Sequence, residues 1–317
     1  MAIPKAIPAI DDLATLRDWL RYGVTAFTRA GLVYGHGTAT ALDEAAFLIL
    51  STLHLPVDTL QPWLDCRLTR AERQSVAEIF TARIETRKPA PYLTNSAWIG
   101  GHKFYVDERV IVPRSFIGEL LCRDGLATVL GDGAHVTRIL DLCTGSGCIA
   151  ILAALAFPDA DVIASDVSRD ALDVAKRNVA EYKLADRVKI IQADLLSGLE
   201  EKPFDLIISN PPYVTSEAVE AFPAEYKAEP KLAHDGGNDG LDLVHRILAD
   251  ARNHLTPTGS LVMEIGQGRD RLEAVRPDLP YLWLDTETSE GEVFSLTAAD
   301  LAGPVTPTSG GRKNQKT

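Results

Sequence analysis

No apolar run in these 317 residues approaches the roughly 20 that a membrane-crossing helix needs. The opening stretch, MAIPKAIPAIDDL, has too short an apolar part and no small-residue cleavage pattern, which argues against a secretory signal; a cytoplasmic protein is the expectation. Cysteine is scarce: Cys66, Cys122, Cys143 and Cys148 sit at spacings that match neither a zinc framework nor a Cys-x-x-Cys redox pair. They read as reduced, mostly buried thiols, and no metal is expected. An excess of positive charge is missing too. The net charge is −12, and since residues 1–95 hold ten basic and ten acidic residues, the remaining 22 basic against 34 acidic residues carry all of it. Duplex nucleic acid, which is held by clustered Lys and Arg, is therefore a poor partner, and no DNA binding is expected. A basic protein suits such a field better.

The first third has helical periodicity. DDLATLRDWLRYGVTAFTRAG starts on aspartates suited to capping, repeats Leu13, Leu16, Leu20, Val24 and Phe27, and stops at Gly31. LDEAAFLILSTLHL reads as a second helix. A third starts at Thr69, with Glu72 in capping-box position, and runs to about Arg87 before Pro89 and Pro91. From residue 92 to 114 the signals are short strands, with Gly100-Gly101 as a hairpin turn. Beyond Arg138, strand candidates (RILDLC, DVIAS, VKIIQAD, FDLIIS, SLVMEI, then YLWLD and EVFSL) alternate with helices such as SRDALDVAKRNVAEYKL. That order predicts an α/β domain with a parallel sheet covered on both faces. The expected division is a helical domain over 1–90, a β-hairpin linker over 91–114, an α/β domain over 115–301 and a disordered tail over 302–317.

LDLCTGSGCIAI, residues 140–151, places Thr144, Gly145 and Gly147 between a strand and a helix, where backbone can approach a ligand closely. The dinucleotide fingerprint is incomplete, because Cys148, Ile149 and Ala150 follow in place of Gly-x-x-Gly. Asp166 ends the second strand, about twenty residues on, where a carboxylate accepts from both ribose hydroxyls. Asp194 follows the third strand, within reach of an adenine amino group, and Asp141 precedes the glycines, placed for an ammonium. Ribose, adenine and a cationic end without a phosphate clamp describe S-adenosylmethionine better than NAD.

FDLIISNPPYV, residues 204–214, runs a buried strand straight into Asn210-Pro211-Pro212-Tyr213. Two prolines end the strand and hold carbonyls outward. A methyl donor needs a lone pair in line with its sulfur–carbon bond, yet the nitrogen of an amide or adenine NH2 is delocalised. Two acceptors on its two hydrogens, the Asn210 side-chain carbonyl and the Pro211 backbone carbonyl, orient that nitrogen and favour its rehybridisation. Pro212 steadies the backbone, and Tyr213 stacks on the flat group.

DLCTGSGCIAI with NPPY resembles the amino-group methyltransferases that act on glutamine side chains, adenine or the cytosine amino group. YGHGT, DEAAFLIL, PYLTNSAWIGGHKFYVDERVIVPRS and EYKAEPKLAHDGGNDGLDLVHRIL narrow the resemblance, over about residues 10–301, to the ribosomal protein glutamine methyltransferase branch of the protein N(5)-glutamine methyltransferases. This implies a helical substrate-recognition domain and a Rossmann-like S-adenosylmethionine-dependent domain acting on large-subunit ribosomal protein number three. The sister branch, which methylates peptide chain release factors, usually has Pro-Arg-Pro-Glu-Thr-Glu where this chain has Pro113-Arg114-Ser115-Phe116. Phe116 and Ala228 depart from the branch pattern, outside the cofactor loop. His36 and His102 are read as buried or turn-forming rather than as bases, and Arg114 equally as a partner for an acidic cofactor group or as a loop cap. An adenine methyltransferase and a non-catalytic ribosome-assembly factor are the competing readings.

Overall fold

The computed structural model describes residues 10–131, 135–199 and 202–302, so nearly all of the expected tail lies outside the described residues. Three helices build the N-terminal unit: α1 (Leu16–Ala30), α2 (Ala41–Thr52) and α3 (Arg70–Thr86). The first is capped by Thr15, in a capping box with Asp18, rather than by the earlier aspartates. Thr15 wins because its hydroxyl accepts the Asp18 N–H while the Asp18 carboxylate takes the Thr15 N–H, so two orphan donors are satisfied at once. Gly31 ends α1 in the left-handed conformation, and Thr69 with Glu72 caps α3 as expected. Trp19, Phe27, Leu48, Ile49 and Phe80 fill the space between the three helices.

A short helix α4 (Ala90–Thr94), missed in the sequence because Pro89 precedes it and Pro91 lies in its first turn, leads into the hairpin β1 (Ala97–Ile99) and β2 (His102–Phe104). Helices α5 (Phe116–Asp124) and α6 (Ala127–Leu130) follow. The α/β unit then runs β3 (Arg138–Leu142), α7 (Cys148–Ala156), β4 (Asp161–Asp166), α8 (Arg169–Glu181), β5 (Val188–Gln192) and β6 (Phe204–Ser209). It closes with α9 (Ser216–Glu220), α10 (Asp242–His254), β7 (Leu255–Glu264), α11 (Arg269–Val275), β8 (Leu282–Leu284) and β9 (Val293–Thr297).

The seven strands lie in the order β5-β4-β3-β6-β7-β9-β8. All neighbours from β5 to β7 are parallel, whereas β9 is antiparallel to both β7 and β8. The expected all-parallel run fails at this edge for a simple reason. No helix separates β8 from β9, and without a crossover the chain can return only antiparallel. Alternation along each strand divides the core: Ile139, Leu206 and Ile208 pack with α5, α7 and α8, while Leu140, Leu142 and Ile207 pack with α10 and α11.

That division places the site. Neighbouring strands β3 and β6 are followed by helices on opposite faces, α7 on one and α10 on the other, so a crevice opens beyond their carboxyl ends. Both sequence features of interest, the glycine loop after β3 and Asn210 after β6, stand at this crevice.

Candidate active site

A cavity of about 280 Å³ lies in the crevice, lined among others by Cys143, Gly145, Asp166, Asp194, Asn210 and Pro212. Gly145 has φ +55°, and a Cβ there would have only Ile111 within reach, at 4.0 Å, so the backbone faces open space. Asp166 caps the loop: its carboxylate accepts from the Gly145 N–H at 3.0 Å and from the Ser168 N–H at 2.9 Å. Burial pushes its carboxyl up from the usual range. Asp194 is more open, and one of its oxygens is held by Arg246 at 2.8 Å, which leaves the other for a further donor. The cavity's two arginines are each engaged by a carboxylate, Arg109 by Asp107 and Arg246 by Asp194. What remains facing the space is a set of acceptors for hydroxyl and amino hydrogens. It fits the ribose and adenine of S-adenosylmethionine and offers no cation for a pyrophosphate.

Asp141, Thr144 and Gly147 play another part than direct contact. Asp141 sits on the α7 side of β3 and is wholly buried; it accepts from the Thr144 hydroxyl at 2.5 Å and from the Ala150 N–H at 3.0 Å. Burial pushes this carboxyl up to about 7. Through one oxygen it therefore ties the loop to the first turn of α7 from beneath, while the other oxygen has no partner among the described residues, and Asp141 is not part of the cavity lining. Gly147, at φ +79°, is required for packing, since a Cβ there would press on Ala175 at 3.1 Å.

Asn210 also belongs to a second cavity of about 230 Å³, lined by Arg114, Pro211, Tyr213, Phe222, Tyr226 and His234 among others. Its carboxamide has no partner among the described residues. Pro211 and Tyr213 line this second cavity, whereas Pro212 lines the first. The Pro212 and Tyr213 carbonyls abut the glycines of the following loop: a Cβ on Gly236 would come within 2.7 Å of the first, and one on Gly240 within 2.4 Å of the second. Those glycines are what allow the two segments to lie against each other, with the Val214 N–H donating to the His234 carbonyl at 3.0 Å and Gly236 to the Val214 carbonyl at 2.8 Å. Gly266 likewise leaves room for the Tyr213 ring, which a Cβ would meet at 2.6 Å.

Behind the second cavity lies a buried carboxylate that the sequence reading did not single out. Glu229 accepts from the Val112 N–H at 2.8 Å, from Arg114 at 2.8 Å and from His234 at 2.9 Å, with His36 at 3.4 Å. Burial alone would raise its carboxyl, but the bonds from His234 and His36 and the Arg114 charge hold it well below the usual carboxylate range. Arg114 thus settles on Glu229 and on the Tyr226 ring, 5.3 Å from its centroid, away from the first cavity. His36 is buried, as expected, and His102 is half-buried on the hairpin.

Two more carboxylates act as ties. Glu225 joins the same loop to the helical unit through the Val33 N–H at 3.0 Å and Arg87 at 2.8 Å, beside the buried Arg83–Glu44 pair at 2.6 Å. Glu264, at the end of β7, accepts from the Ser115 hydroxyl at 2.8 Å and the Phe116 N–H at 2.9 Å and so caps α5; burial pushes its carboxyl up to about 7. The Phe116 departure is thus met through its backbone, while Ala228 packs beside Tyr92 and Val106. Of the thiols, Cys66 and Cys122 are exposed rather than buried, and all four cysteines are free.

Residues 125–225 match the family model described as methyltransferase small domain. The ribosomal protein uL3 glutamine methyltransferase of Bradyrhizobium diazoefficiens is 53% identical over 295 residues, covering 92% of this chain and 92% of the relative. The protein of the same description from Bordetella pertussis is 52% identical over 290 residues, covering 92% and 97%. Among solved structures, a T. thermophilus 16S rRNA methyltransferase in complex with AdoMet and guanosine aligns at 18% identity with a TM-score of 0.46, over 64% of this chain and 49% of that one.

Proposed function

The chain belongs to the ribosomal protein uL3 glutamine methyltransferases, and on that premise we propose how its residues share the work. The reaction is methylation of a glutamine side-chain amide in uL3 with S-adenosylmethionine as donor. When bound, S-adenosylmethionine supplies an electrophilic methyl group on a sulfonium centre. Gly145, Asp166 and Asp194 hold it, with Asp141, Thr144 and Gly147 keeping the loop in shape. The observation that carries this assignment is the position of Asn210 on the wall shared by the two cavities, with its carboxamide unengaged.

From there the Asn210 side-chain oxygen and the Pro211 carbonyl accept the two N–H hydrogens of the incoming amide. Both acceptors strengthen as the nitrogen gains positive charge, so they favour the transition state over the ground state. Pro212 and the glycines against it keep the Pro211 carbonyl from turning away. Tyr213 packs on the flat amide, its hydroxyl kept protonated by burial. Residues 1–90 present uL3, the hairpin over 91–114 connects, and residues 115–301 carry the chemistry. No helix among the described residues is long and apolar enough to cross a membrane, and we place the reaction in the cytoplasm, where ribosomal proteins are made.

The test is mass spectrometry of uL3 incubated with the purified protein and S-adenosylmethionine, beside release factors, DNA and an Asn210→Ala variant. One methyl on a uL3 glutamine is expected, with the variant slowed about 100-fold or more while still binding S-adenosylmethionine. A methyl on a release factor or DNA in place of uL3 would overturn the substrate, and full activity in the variant would overturn the role of Asn210.

A further inference from the structure

Beyond the two cavities at the crevice lies a third space of about 560 Å³, between α2, the loop that follows it, and the hairpin. Its floor is apolar, with Phe47 on one side and Trp98 on the other. Trp98 is the middle residue of β1, flanked by buried Ala97 and Ile99, so strand alternation turns its indole outward, and it stays 40% exposed. A large aromatic left open on a short hairpin is the kind of side chain that anchors a partner. The rim carries Asp43 and Asp58, and neither Lys nor Arg lines the groove; Lys103, opposite Trp98 on the hairpin, lies outside the lining.

The groove lies next to the site already described. Pro113 lines it, while Arg114, the next residue, lines the amide cavity. His36 lines it too, and stands 3.4 Å from the Glu229 carboxylate that holds Arg114. A single backbone segment therefore separates the two spaces. A protein whose glutamine side chain enters the amide cavity must lay its neighbouring residues along one side or another of that segment.

We propose that this groove docks the stretch of uL3 flanking the modified glutamine, as an extended segment that sets an apolar side chain between Phe47 and Trp98 and a Lys or Arg against Asp43 and Asp58. The charge fits: a protein that packs on ribosomal RNA carries basic residues, and the lining holds two carboxylates against one neighbouring cation, Lys103, which shares the Trp98 face of the hairpin. The proposal rests on the uL3 reading above and gives the helical unit a definite part in choosing the substrate.

Steady-state kinetics on intact uL3 test it with two variants, Trp98→Ala and the double variant Asp43→Asn, Asp58→Asn. KM for uL3 is expected to rise about tenfold in each, with kcat at saturating uL3 and the S-adenosylmethionine Kd unchanged. The double variant should also lose part of the salt dependence of KM. On a glutamine peptide too short to reach from the amide cavity to the groove, wild type and variants should act alike. An unchanged KM for uL3 in both variants would overturn the proposal while leaving the uL3 reading intact. A wild-type protein that does not methylate uL3 would remove both. Photo-crosslinking from position 98 gives an independent readout: capture of uL3 supports the groove, whereas capture of a second copy of this chain, or of its own terminal residues, overturns it.

Discussion

Replacing Glu229 by glutamine removes one charge from a place where three elements depend on it. The carboxylate is wholly buried in its side chain and accepts from the Val112 N–H, Arg114 and His234 at 2.8–2.9 Å. Glutamine keeps the volume and one acceptor oxygen, so little is lost in packing. What is lost is the counter-charge of Arg114, itself largely buried, and one of the charge-assisted bonds, each worth about 1.5–3 kcal/mol. Leaving a buried cation unpaired costs about 3–5 kcal/mol. Taking about 3 kcal/mol, the midpoint of thermal unfolding should drop by about 6 °C for a chain of this size. The sign with pH is fixed by the direction of the shift. Glu229 is held below its unfolded value, so its contribution is present at neutral pH and lost as pH falls below the usual carboxylate range. The gap between wild type and variant should therefore close in acid. Because Arg114 and His234 line the amide cavity and not the cofactor cavity, KM for uL3 should rise while the S-adenosylmethionine Kd holds. Differential scanning calorimetry from pH 2 to pH 8, with kinetics on uL3, checks all three statements. A variant that melts within a degree of wild type at pH 7.5 and keeps its KM would refute the view that this carboxylate organises the cavity.

Asp166→Ala should weaken S-adenosylmethionine about 100-fold by calorimetry, as two charged hydrogen bonds to hydroxyls are lost, and a change below threefold would remove Asp166 from the cofactor site. Glu264→Gln addresses the opposite sign. Burial raises the wild-type carboxyl to about 7, so its contribution is complete below the unfolded value near 4 and is lost as pH rises through 7. The stability of the variant relative to wild type should accordingly increase by about 3 kcal/mol between pH 5 and pH 8, and a pH-independent offset would count against a protonated Glu264.

Much of this arrangement was legible along the chain because it depends on neighbours in sequence. Thr69 and Glu72, three residues apart, specify a helix start whatever packs against it, and Gly31 specifies a helix end. The strand-to-glycine and strand-to-proline junctions mark the carboxyl edge of a parallel sheet, and the acidic residues after successive strands mark the nucleoside end of a cofactor. Asp141 shows the limit of that logic. Its spacing from the glycines suits a ligand, but strand alternation turns it beneath α7, where the Thr144 hydroxyl and Ala150 N–H share one oxygen and the other is left without a partner among the described residues.

The residues that sequence could not place are those whose partners lie far away in the chain. Glu229 meets Val112 and Arg114 across more than a hundred positions, Glu225 meets Val33 across 192, and Glu264 meets Ser115 across 149. A lone Glu in a loop or at a strand end reads as a solvated charge, since nothing local says that it will be buried. Two departures were local instead: Thr15, three residues before Asp18, took the cap of α1 through its own capping box, and β9 ran antiparallel because no helix separates it from β8. Short-range patterns along the chain pointed to Gly145, Asp166 and Asn210 as the candidate site. Packing alone set Asn210 between two cavities and a groove beside Trp98 next to one of them, because cavities are made by residues that the chain does not hold together.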